Sequence, residues 1–192
     1  MGLRIMRRWL LALCLMAASG AQAATDFYGT LLSGTYQPSE TFAALTYEGA
    51  GNVYNFTLDA YDLDAIFTSG AFIGAIAVDS AFVPTISNVT GGTVVSVSPG
   101  GGPGGGFDFR FDLTGPQQAR LTANESVSFT ATFSDPVVLS ANSFALHVQG
   151  LTDEQGGSAW YTSAPIPEPS TYGMILAGLG LVGFVGRKRL MR

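Results

Sequence analysis

The chain has little thiol or imidazole chemistry to offer. Cys14 is its only cysteine and His147 its only histidine. Any product that lacks residue 14 has no disulfide and no thiolate metal site. A single histidine also argues against a His-based zinc or copper centre. Positive charge is scarce too. All 14 acidic residues lie between Asp26 and Glu168, where only Arg110 and Arg120 of the nine basic residues fall, a net of −12. That balance excludes a nucleic-acid surface, which needs clustered Lys and Arg against phosphate. It also disfavours docking of this part on anionic lipid. No long amphipathic helix is legible between residues 24 and 165.

The remaining basic residues mark the two ends. Arg4, Arg7 and Arg8 precede an apolar stretch, residues 9–18, of signal-peptide length. Ala21-Gln22-Ala23 follows as an A-x-A cleavage site, so the mature chain is expected to begin at Ala24. An uncleaved anchor is the weaker alternative, because the apolar run is short and small residues close it. Leu13 before Cys14 does not suit lipidation.

At the other end, Pro165, Pro167 and Pro169 alternate, which fixes φ and removes three N–H donors. Residues 172–185 then carry no charge, and Arg187, Lys188, Arg189 and Arg192 follow. A stiff spacer, an apolar helix and a basic stop-transfer cluster are the expected organisation. This order resembles the PEP-CTERM protein-sorting signal of Gram-negative bacteria. Pro167-Glu168-Pro169 supplies its core, and Ser170 and Thr171 follow. The stretch 143–151, SFALHVQGL, followed by 156–161, GGSAWY, is also similar to segments that precede that signal. The resemblance implies transient anchoring in the inner membrane and processing by an exosortase-type membrane protease. Delivery to the cell surface or an exopolysaccharide matrix would follow. The same motif is sometimes labelled an ice-binding C-terminal domain. Thr130 and Thr132 form only one Thr-x-Thr pair, so ice binding is not implied.

Between the ends, period-2 alternation dominates. Phe107, Phe109, Phe111 and Leu113 share one face, opposite Asp108, Arg110 and Asp112. Val127, Phe129, Ala131 and Phe133 repeat the pattern, as do Phe144, Leu146 and Val148. Weaker strands are expected at 24–32, 41–47, 52–58, 72–78 and 89–97, with a helical turn at 62–69. The glycine-rich run 98–106 reads as a loop between two strands. The pattern predicts an all-β exported domain over 24–164, an antiparallel β-sandwich of jelly-roll type, with a closed barrel as the alternative.

Reactive constellations are few. The glycine run lacks a following Gly-Lys-Ser/Thr, which excludes a phosphate loop. There is no Gly-x-Ser-x-Gly elbow to serve His147, which falls on a polar strand face. Asp59, Asp62 and Asp64 are weak candidates for calcium, since hard carboxylate oxygens suit that ion but the EF-hand spacing is missing. Trp160 and Tyr161 are either core or a sugar-stacking platform. Asn55, Asn88 and Asn124 stand in Asn-x-Ser/Thr triplets. No catalytic residue and no cofactor is expected. The sequence points to a non-enzymatic surface or matrix protein. A calcium- or polysaccharide-binding module is the alternative.

Overall fold

The computed structural model describes residues 22–163, except 69, 92, 94 and 114–118. Of the cleavage-site alanines it includes Ala23 but not Ala21. Residues 1–21 and the whole of 164–192 lie outside the described residues. The expected leader and membrane helices, the Pro-Glu-Pro motif with Ser170, and the basic cluster therefore lie there too.

The described chain is all-β, apart from one short helix and three 3-10 turns. Its strands are β1 Gln22–Ser33, β2 Ala43–Ala50, β3 Val53–Ala60, β4 Phe72–Val78, β5 Pro84–Thr90, β6 Val95–Pro99, β7 Phe109–Leu113, β8 Ser126–Phe133, β9 Phe144–Gln149 and β10 Ser158–Ser163. Helix α1 is Leu63–Ile66. All pairings are antiparallel, in the order β5-β8-β3-β2-β1-β10-β9-β4-β7-β6.

One ladder thus runs through all ten strands, where the sequence pattern suggested a sandwich of two sheets. The reason is β1. Its first half, from Gln22 to Tyr28, pairs with β2; its second half, from Tyr28 to Ser33, pairs with β10. The register of the second half slips between Tyr28 and Thr30, a bulge that bends the strand. Gly29 sits in the bend, where a Cβ would come within 3.0 Å of the Glu40 carbonyl. One long bent strand therefore joins what would otherwise be two sheets. The sheet rolls nearly into a barrel, and its edge strands β5 and β6 approach one another.

Rolling is visible in the core. Tyr47 on β2 packs against Phe144 on β9 at 5.0 Å between centroids, although three pairing steps separate these strands. Phe56 on β3 reaches Phe111 on β7 at 5.6 Å and stacks on Phe129 at 5.2 Å. Alternation places these rings. Phe109, Phe111 and Leu113 are buried while Arg110 and Asp112 are not; β8 alternates likewise, and in β9 Phe144, Leu146 and Val148 are buried, with Ala145 covered as well. Phe107 does not join them; it precedes the strand, and Gly102 approaches its ring closely. The run expected at 89–97 is divided between β5 and β6. Helix α1 buries Leu63 in the core, and neighbouring Phe67 packs onto Phe42 and Tyr161, with Phe67 and Phe42 5.2 Å apart. The glycine-rich loop links β6 to β7 as a hairpin.

Candidate functional site

Asp59, Asp62 and Asp64 separate in the fold. Asp59 lies on β3, between Ala44 of β2 and Ser126 of β8. Asp62 caps α1, and its carboxylate accepts from the Ala65 N–H at 3.2 Å. Asp64 accepts from the Gly70 N–H at 3.2 Å. Two of the three carboxylates thus hold the turn after β3, which is the role short acidic side chains take at helix starts. Among the described residues no three or more His, Cys, Asp or Glu side chains are gathered to hold a metal.

His147 and Trp160 face each other across β9 and β10 on the outer surface. Their rings stack at 4.3 Å with 5° between planes. Burial lowers the His147 pKa, and the nearby Arg110 charge lowers it further. The imidazole is therefore neutral at pH 7, with one face covered by indole. Arg110 is in turn paired with Asp112, whose other oxygen accepts from Ser98. Trp160 is half-buried, while Tyr161 points inward and is fully buried. The Tyr161 hydroxyl donates to the Tyr36 carbonyl at 2.9 Å, and Tyr36 donates to Ile66. The adjacent aromatics therefore do different jobs, and Tyr161 belongs to the core.

The sequon asparagines have structural duties of their own. Asn88 and Asn124 adopt φ of 52° and 60°, the left-handed region that asparagine tolerates best after glycine. Asn55 accepts from Thr130 at 2.9 Å on the outer surface. Hydroxyls continue across this face, with Thr25 bonded to Thr46 and Thr57 to Ser128, each at 2.9 Å.

One polar cluster escaped the sequence reading. Asp26 lies on the inner face of β1 and is only 2% exposed. Burial raises its pKa, and a hydrogen bond with Tyr47 works the other way. The Tyr47 hydroxyl is pushed up to about 12, first by burial and then by the Asp26 charge. Asp26 Oδ2 and the Tyr28 hydroxyl are buried without hydrogen-bond partners. Parity would have revealed this acid, because Ala24, Asp26 and Tyr28 share a face. Nearby, Tyr47, Gly49, Gly51, Tyr54, Val137 and Val138 line a half-open cleft of about 170 Å³. Small-molecule sites usually hold about 300–1,000 Å³.

No helix of the described residues is long and apolar enough to cross a membrane. No curated protein and no solved structure matches the chain. One family model does match, the PEP-CTERM protein-sorting motif, over residues 165–189. Such signals are processed by exosortase, a membrane protein, and imply export with membrane-associated sorting to the cell surface. The match begins just after the last described strand, so the all-β sheet of the described residues is followed in sequence by a PEP-CTERM protein-sorting motif.

Proposed function

We propose that the chain is a non-enzymatic surface or matrix protein. Residues 1–23 act as a leader, 24–164 as the exported domain and 165–192 as the sorting signal. The tail holds the protein at the inner membrane until an exosortase acts near Pro167, Glu168, Pro169 and Ser170. The released domain then joins the cell surface or an exopolysaccharide matrix. The observation that carries this reading is the match of residues 165–189 to the sorting motif. The acidic, lysine-free composition of the exported part suits a well-hydrated extracellular protein.

The test is intact-mass analysis of protein from an exosortase-bearing host and from the same host without that protease. The expected product starts at Ala24 and lacks the apolar tail only where the protease is present. Identical full-length tails in both hosts would overturn the sorting reading. Co-purification with exopolysaccharide, lost when the tail is deleted, checks the matrix destination separately.

A further inference from the structure

We propose that the end of the sheet from which the chain leaves toward its sorting motif lies on the membrane surface, where Val53, Phe82, Val83 and Val138 enter zwitterionic lipid. The inference depends on the tail's acting as an anchor. The surface itself is built wholly from described residues of the sheet and its loops.

Register identifies this end. Gln22 lies opposite Gly49, beside the turn that joins β2 to β3. Strand β10 runs antiparallel to β1 and reaches Ser163 opposite Tyr28, so it is directed at the same end. The contact between Tyr47 and Phe144 brings β2 and the start of β9 level with each other. Residues 134–143 bridge the two. The Val137 N–H donates to the Gly51 carbonyl at 2.9 Å, and the Ser163 hydroxyl donates to the Ala141 carbonyl at 3.3 Å. Strand β5 begins here as well, since Pro84 lies opposite Phe133.

Exposed apolar side chains gather at this end. Among the described residues seven large hydrophobics are exposed, and four of them, Val53, Phe82, Val83 and Val138, lie here. Val53 opens β3, and Phe82 and Val83 lead into β5. Val138 is 92% exposed, yet its backbone is held. Val137 and Leu139 on either side are buried, and the Tyr54 hydroxyl donates to the Val137 carbonyl at 2.9 Å. With both neighbours pinned inward, Val138 has no route back to the core. Apolar side chains exposed singly need no explanation, whereas several at one end mark an interaction surface.

Tether length and charge choose the occupant. Residues 164–171 reach at most about 29 Å at ~3.6 Å per residue. A chain anchored by the apolar run from residue 172 therefore keeps this end beside the bilayer at high effective concentration, and weak apolar insertion suffices. Glu48, Asp79, Asp108 and Asp135 are exposed around the same end, where the Asp79 N–H donates to Ser143 and the Asp108 N–H to Val78. Arg110 on neighbouring β7 is paired with Asp112. Anionic lipid is repelled by such an end, so the surface that fits is zwitterionic.

Site-specific fluorescence is the experiment. The chain is exported in a host without an exosortase, carries Cys14→Ser, and is purified from the membranes with its tail intact. An environment-sensitive dye is attached at Val138→Cys or, at the opposite end of the sheet, at Glu154→Cys. In phosphatidylcholine vesicles the Val138 dye should shift to the blue and be quenched by a lipid carrying a quencher at its headgroup. The Glu154 dye should do neither. Val138→Asp should reduce the shift of a dye at Val83→Cys. Phosphatidylglycerol should weaken the contact at low salt, and added salt should restore it. Flotation with the vesicles, lost when residues 172–192 are deleted, reads the anchor separately. Protein that floats with an unshifted Val138 dye overturns this proposal and leaves the anchor standing; protein that does not float overturns both. Equal shifts at Val138 and Glu154 also overturn it. So does a Val138 shift that appears without vesicles and grows with protein concentration, which assigns this end to a second copy.

Discussion

Asp26 is the one acidic side chain among the described residues that folding buries. Its raised pKa sets a sign. The neutral form suits the core, so the carboxyl contributes stability below its unfolded value of 3.8, and that stability is lost as pH rises through the folded pKa. Asp26→Asn removes the charge and brings an N–H donor near the unpartnered Tyr28 hydroxyl. The variant should be more stable at pH 7 by about 1–3 kcal/mol, the usual cost of an unsatisfied buried group. Urea melts at pH 7 and pH 4 check this, and the gain should shrink at the lower pH. His147 works the opposite way, since its lowered pKa costs stability as pH falls below 6.5. It is common to both proteins and cancels in the comparison. An equal gain at both pH values would show that charge is not what Asp26 costs.

Asp62 belongs to the same scale. Its cap on α1 predicts a loss of about 1 kcal/mol in Asp62→Ala. The loss should be the same with millimolar Ca²⁺ as without it. A saturable Ca²⁺-induced rise in Tm that Asp62→Ala abolishes would restore the calcium alternative.

At the scale of elements, Gln37 stands in for a strand. Its carboxamide presents a carbonyl and an N–H to β1, as a neighbouring backbone would. Gln37→Ala should cost about 1 kcal/mol and speed exchange of the Leu31 amide. The Phe129 amide, deep in β8, should keep its protection. Nothing in the sequence marks Gln37 for this role, because the need for it arises from the bend in β1. Other elements were legible. Parity alone picked the buried faces of β7, β8 and β9, since Phe, Val and Leu alternate with polar residues there. The turn at 62–69 became α1, and 72–78 became β4 with those bounds. The signal failed where burial is nearly absent. In β5 most side chains are exposed, so no alternation separates it from β6. Strand β4 was found although Ala75 and Ala77 are buried as well, because its unbroken apolar run marks a strand without alternation. Strand β10 was hidden because Trp160 and Tyr161 look alike as residues while facing opposite ways.

At the scale of the whole molecule, sandwich and rolled sheet share the same strands and the same alternation. They differ in whether one strand bends and pairs on both sides, which depends on long-range register that local pattern does not carry. The sorting function is the reverse case. It was legible at the chain end because a proline spacer, an apolar run and a basic cluster are read from order and composition alone. Their division of labour can be tested. Residues 172–185, as a helix, span about 21 Å at ~1.5 Å per residue, short of a hydrocarbon core of about 30 Å. Such a helix is a weak anchor by itself. On the proposed reading, Arg187, Lys188 and Arg189 would supply retention by staying on the cytoplasmic side. Replacing all three with Gln should let the tail slip through and release uncleaved protein. Gly178→Leu with Gly183→Leu should do the reverse, tightening retention and slowing processing, since the small-residue face that another membrane helix approaches is lost. Fractionation followed by intact-mass analysis reads both outcomes. A Gln variant retained and cut like the wild type would show that the basic cluster does not stop the tail.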